Sequence, residues 1–139
     1  MGAPAKVLFV CTGNSARSQM AEGFARSLGG TRAEAHSAGV EPSRLNSHAV
    51  AVMQEKWIDI ARHRSKAFDW DLARPMDVVT VCGHANETCP VLPPEVTRLH
   101  WPLEDPAAAT GTDDEILTTF RRIRGQVEIR VAELLSTIP

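Results

Sequence analysis

"FVCTGNSARSQM", residues 9–20, holds a change of secondary structure within a dozen residues. Before it, Val7–Val10 is an unbroken apolar run rich in β-formers, the pattern of a strand covered on both faces. Gly13 and Asn14 interrupt that run. From Arg17 the spacing becomes helical, with Met20, Ala21, Phe24, Ala25 and Leu28 recurring at steps of three and four, and Gly29-Gly30 closes the element. The stretch therefore reads as strand, turn and helix, with Cys11 at the carboxyl end of the strand.

The pattern repeats along the chain. "AEAHSAG" (33–39) reads as a second strand, and Asn46 as the cap of a helix running through Ala49, Val50, Met53 and Trp57. "MDVVTVC" (76–82) is a third strand, again ending in a cysteine, and "VTRLHW" (96–101) a fourth, followed by the Pro-bounded loop "PLEDPA". Thr112-Asp113-Asp114-Glu115 is a capping box, opening a helix whose stripe is Ile116, Phe120, Ile123, Val127, Val131, Leu134 and Ile138. Strands alternating with helices imply an α/β fold: a parallel sheet with helices on both faces, built from right-handed crossovers. Ligands of such sheets bind beyond the carboxyl ends of the strands, where Cys11 and Cys82 both fall.

Composition narrows the class. The 139 residues suit one domain spanning 1–139, with no repeat, linker or low-complexity tract. A net charge of −2 offers no general basic surface for nucleic acid. The apolar run near the N-terminus is too short for a signal core or a membrane span, so a cytoplasmic protein is expected. Three cysteines, Cys11, Cys82 and Cys89, cannot all pair, and in a reducing compartment they point to chemistry, metal binding or burial.

The turn after Cys11 suits an anion. Small residues at Gly13, Ser15 and Ala16 let successive backbone N–H groups converge, and the following helix adds its positive end. Arg17 can close this cradle with a planar fork matched to two oxygens of a tetrahedral oxyanion. A thiol at a helix N-terminus beside a guanidinium ionises below its free value of about 8.5, so Cys11 is expected as a thiolate near neutral pH. Ser18 is placed to donate to it, and Asn14 tolerates a left-handed backbone. The plainer reading is a buried strand-end cysteine before an ordinary turn. The dinucleotide-binding and Walker glycine patterns are absent, so no nucleotide cofactor is expected.

"VCTGNSARSQMAEG" resembles the phosphate-binding loop of the low-molecular-weight tyrosine phosphatase superfamily, and most closely that of its thioredoxin-coupled arsenate reductase branch. "VVTVCGHANETCPVLPPEV" and "HWPLEDPA" resemble two further signatures of that branch, and the likeness spans nearly the whole chain. The resemblance implies a four-stranded parallel sheet of flavodoxin-like order 2-1-3-4. It also implies an oxyanion loop of Cys11, Thr12, Gly13, Asn14, Ser15, Ala16, Arg17 and Ser18, with Asp105 as general acid. Pro106 independently favours an extended backbone at Asp105; Glu104 reads as a solvated loop acid.

A phosphatase needs only the first of the three thiols. Arsenic(V) can accept two electrons, so a second thiol attacking Cys11 can expel arsenite. The resemblance accordingly implies a transient Cys11–Cys82 disulfide, then a Cys82–Cys89 redox disulfide reset by external thioredoxin, with no bound cofactor or metal. Other readings stay open for these residues: Cys82 and Cys89 as structural thiols, or a zinc site with His84, although the spacing fits no common structural pattern. Many members of the branch carry a further cysteine where this chain has Ala16. Some bind potassium through residues matching Asn14, Glu22 and Ser37 plus a carboxylate where Lys66 stands; the lysine predicts little potassium stimulation here.

The remaining features read as structural. His36, His48, His63, His84 and His100 share no metal spacing, Arg121, Arg122 and Arg124 form a solvated helix face, and Trp57, Trp70 and Trp101 pack in or beside the core. The resulting expectation is a monomeric arsenate reductase acting on arsenate and other tetrahedral oxyanions, with weak phosphatase activity possible and no nucleic-acid or membrane partner. Its rivals are a tyrosine phosphatase, against which "DPAAAT" lacks aromatic residues to stack on phosphotyrosine, and an oxyanion- or redox-sensing module without turnover.

Overall fold

The computed structural model describes residues 4–69, 71, 76–81 and 97–138. Four parallel strands, β1 (Ala5–Cys11), β2 (Ala33–Gly39), β3 (Asp77–Thr80) and β4 (Arg98–His100), form one sheet in the order β2-β1-β3-β4. Among the described residues three α-helices accompany them: α1 (Arg17–Gly29), α2 (Ser47–Gln54) and α3 (Asp113–Ser136). This is the order expected from the resemblance. β1 is central, and its register sets Cys11 beside Gly39 of β2.

Alternation along β1 divides the core in two. Val7, Phe9 and Cys11 face one side, where Met20, Phe24, Val52, Met53, Phe120, Ile123, Val127 and Val131 from the three helices bury them. Leu8 and Val10 face the other side with Ala38, Met76 and Val78, covered in part by Val40 and Phe68. Trp101 packs on Phe9 with ring centroids 5.6 Å apart, joining the segment after β4 to the strand that carries Cys11.

The helix starts follow the sequence. Asn46 Oδ1 accepts from the His48 and Ala49 amides, and Thr112 and Glu115 form the reciprocal capping box of α3. The α3 stripe is buried as expected at Phe120, Ile123, Val127 and Val131, but Leu135 is buried below it while Leu134 is only partly covered.

Trp57 departs from expectation. It lies beyond α2, is 95% exposed and has φ of 62°. The Trp57 amide donates to Gln54 O at 2.9 Å and the Ile58 amide to Met53 O at 3.1 Å, the paired bonds of a Schellman turn. Trp57 thus occupies the left-handed position usually held by glycine, and Ile58, next along, turns inward against the core. Trp101 is buried as expected; Trp70 lies outside the described residues. No helix among the described residues is long and apolar enough to cross a membrane.

Candidate active site

The loop between β1 and α1 is built by its carbonyls. Cys11 O accepts from the Val40 amide, Thr12 O from Glu41, Gly13 O from the Ser43 amide and the Ser65 hydroxyl, Asn14 O from Gln19 Nε2, and Ser15 O from Asn46. All of these acceptors are held from outside the loop. In a trans peptide the C=O of one residue and the N–H of the next point opposite ways, so the amides of Thr12, Gly13, Asn14, Ser15 and Ala16 turn inward. The Asn14 amide accordingly reaches Cys11 Sγ at 3.2 Å. Such a ring of N–H groups is an anion nest, extended by the N-terminus of α1.

Asn14 closes the turn with φ of 49°, the left-handed backbone its identity suggested. Its side chain is fully buried. Asn14 Nδ2 donates to Ser18 Oγ at 2.7 Å, and Ser18 Oγ stands 2.9 Å from Cys11 Sγ. The sulfur lies at the buried floor of the nest, on the same face of β1 as Phe9.

Arg17, the first residue of α1, is 2% exposed. Its guanidinium donates to Leu103 O at 3.0 Å and stands 3.7 Å from Asp105 Oδ2, so one side chain ties the helix start to the loop after β4. Asp105 is extended, with φ −82° and ψ 107°, and Pro106 begins the short 3-10 turn Pro106–Ala108 behind it. The carboxylate divides its work: Oδ1 accepts from the Ala107 amide at 3.0 Å and Oδ2 faces Arg17. The structure brings Cys11, Asn14, Ser18, Arg17 and Asp105 together at this end of the sheet. Cys82, His84 and Cys89 lie outside the described residues.

Several supporting residues carried no recognisable sequence signal. Gly39 is one: a Cβ there would meet Thr12 O at 2.8 Å and the Asn14 amide and Cβ at 2.9 Å, so the close approach of β2 to the loop requires glycine. Ser43 and Ser65 brace Gly13 from outside. Gln19 is a fully buried amide bonded to Asn14.

Beside the loop, Glu22 is buried and accepts from Ser37 Oγ at 2.6 Å and Arg26 at 2.9 Å. Lys66 Nζ lies 4.0 Å from Glu22 and donates to Arg64 O at 2.7 Å. Burial pushes Lys66 below its ordinary range against the opposing pull of Glu22, and likewise lowers His63, which stands 3.8 Å from the same carboxylate.

The arginines of α3 are more than a solvated face. Arg121 and Arg124 both grip Glu55 at the end of α2, the shortest contacts being 2.7 Å, and Arg124 also donates to Val52 O. Arg122 pairs with Glu104 at 2.6 Å, so this acid is a paired residue supporting the loop that carries Asp105.

The pattern described as low molecular weight phosphotyrosine protein phosphatase matches residues 6–139. The chain belongs to this family. Among its relatives, arsenate reductase of Bacillus subtilis is 45% identical over 132 residues, covering 94% of this chain and 95% of that protein. Arsenate reductase of Halalkalibacterium halodurans is 43% identical over the same shares of the two chains. A solved arsenate reductase in the phosphate-binding state superposes with a TM-score of 0.80 at 40% identity, over 97% of this chain and 99% of that one. This member of the phosphatase family thus shares nearly its whole length with enzymes named for arsenate.

Proposed function

We propose that this chain is a thioredoxin-coupled arsenate reductase that detoxifies arsenate by a relay through Cys11, Cys82 and Cys89, acting as a cytoplasmic monomer without a bound cofactor. The observation that carries this reading is the Cys11 sulfur at the floor of an amide nest, with Ser18 at 2.9 Å and the linked Arg17 and Asp105 at the site. The extended similarity to named arsenate reductases supports the choice of substrate.

Arsenate sits in the nest with Arg17 spanning two of its oxygens. The Cys11 thiolate forms a bond to arsenic, and Asp105 gives its proton to the departing oxygen. Cys82 then attacks the Cys11 sulfur. The electron pair of the broken sulfur–arsenic bond stays on arsenic, which leaves as arsenite, reduced by two electrons, while a Cys11–Cys82 disulfide forms. Cys89 attacks Cys82, Cys11 departs as a thiolate, and the new Cys82–Cys89 disulfide is reduced by the thioredoxin dithiol.

Two features support the relay. Cys11 and Cys82 directly follow Val10 and Val81, and the Val81 amide donates to Val10 O at 2.7 Å. Related arsenate reductases have also been solved in reduced and oxidised states, as a thiol–disulfide cycle requires. The loop, arginine and acid also suit phosphoryl transfer through a phosphocysteine, so weak phosphatase activity accompanies this reading.

The test follows NADPH loss with thioredoxin, thioredoxin reductase and arsenate. Wild type turns over continuously, Cys11→Ser and Cys82→Ser release no arsenite, and Cys89→Ser releases one equivalent. Full turnover by Cys82→Ser would sink the relay, and arsenate binding without reduction would instead favour a sensing module.

A further inference from the structure

Gln19, one residue beyond the oxyanion loop, is a polar side chain with no exposure at all. Its Nε2 lies 3.1 Å from Asn14 O, 3.0 Å from Asn14 Oδ1 and 2.9 Å from Arg64 O. Its Oε1 lies 3.0 Å from His63 Nδ1. A primary amide has two N–H donors and one carbonyl acceptor. Reversing it would aim a carbonyl oxygen at three other oxygens, so Nε2 belongs where it stands, and His63 must donate from Nδ1.

The same reasoning carries on through Asn14. Its Oδ1 accepts from Gln19 and from the Lys66 amide at 2.9 Å, which leaves Nδ2 to donate to Ser18 Oγ. A hydroxyl that is accepting there still has one hydrogen to give, and Cys11 Sγ is 2.9 Å away. Every bond in the chain therefore runs one way, from His63 to Gln19, Asn14, Ser18 and finally the sulfur. Linked donors of this kind polarise one another in a dry interior.

We infer that Gln19, backed by His63, is a positioning residue that orients Asn14 so that the Ser18 hydroxyl donates its hydrogen to the Cys11 sulfur. The inference rests on the proposed role of Cys11 as nucleophile. It adds a residue that never touches the oxyanion yet sets the reactivity of the thiol. It also explains why an amide is buried at a helix position where an apolar side chain would cost less.

The test measures alkylation of Cys11 by iodoacetamide at neutral pH, read on the Cys11 peptide by mass spectrometry, beside arsenate turnover. Gln19→Met and Gln19→Glu are expected to slow alkylation about tenfold, the scale of one charge-assisted hydrogen bond. Turnover falls mainly in kcat, with KM for arsenate little changed. His63→Leu slows alkylation, whereas His63→Asn, whose amide N–H stands close to the Nδ1–H position, restores it to within about twofold by keeping the donor. If a Gln19 variant does not fold, the His63 pair, on a more accessible segment, decides the matter. Folded Gln19→Met and His63→Leu proteins whose Cys11 reacts at the wild-type rate would overturn the inference. A wild type whose Cys11 alkylates faster than in these variants but never reduces arsenate would remove the proposed function and leave this inference standing.

Discussion

Asp105 Oδ2 stands 3.7 Å from an Arg17 guanidinium nitrogen across the mouth of the loop, while its other oxygen caps the turn at Ala107. The carboxyl is 35% exposed and the arginine almost wholly buried, so the acid can meet a departing oxygen without losing its tether. Asp105→Asn keeps the cap acceptor but cannot supply the proton. Turnover of arsenate is expected to fall by about 10²–10⁴, the usual range for a lost general acid, with phosphate binding retained. Loss of binding together with turnover would assign Asp105 to oxyanion recognition instead.

Gly39 yields a prediction about shape. The Cβ of Gly39→Ala would press on the Thr12 carbonyl and the Asn14 backbone, which are rigidly held and cannot swing away. Overpacking of this kind costs about 1–3 kcal/mol. The variant should unfold at lower urea and bind phosphate more weakly, because the clash falls on the nest itself. Unchanged binding with only reduced stability would mean that the loop accommodates the methyl group.

Lys66 gives an ionic prediction. Its ammonium lies 4.0 Å from the buried Glu22 carboxylate, which accepts from Ser37, and its backbone amide donates to Asn14 Oδ1, so the lysine stands among the residues expected to hold potassium in related enzymes. The positive charge already present opposes a second cation at this distance. Turnover should therefore be the same in potassium and sodium salts, and Lys66→Asp should introduce a potassium dependence. Strong selective activation of the wild type by potassium would contradict this.

Glu55 supplies a pH dependence. Hydrogen bonds from Arg121 and then Arg124 hold its carboxyl down to about 2 from an ordinary 4.5. A carboxylate depressed in the folded state stabilises fully above the unfolded value and loses that contribution as pH falls through the folded one. The Glu55→Gln variant should thus be less stable than wild type at neutral pH, with the difference shrinking between pH 4.5 and about 2. The group is exposed, so the effect is small and screened by salt. Urea midpoints of both proteins across that range provide the check; a difference independent of pH would show that packing, not charge, joins α2 to α3.

Much of this architecture was readable because its determinants are local. The strand-to-helix change at Cys11–Arg17, the Asn46 cap and the Thr112–Glu115 box each depend on neighbouring residues, and each appears where the pattern placed it. Trp57 misled because helical periodicity continues to it, whereas a Schellman turn ends α2 first and turns Ile58 inward in its place. Gln19, Gly39 and Ser65 were not legible as loop supports, since their partners are brought to them by strand pairing and by the segment near Arg64. The arginines of α3 looked solvated for the same reason: Glu55 and Glu104 reach them only in the folded chain.

The most direct test of the relay is peptide mapping of the protein after one treatment with arsenate in the absence of external reductant. A Cys82–Cys89 disulfide with Cys11 recovered as a free thiol, and one arsenite per chain, is the predicted result. Arsenite formed with Cys82 and Cys89 both still reduced would contradict it.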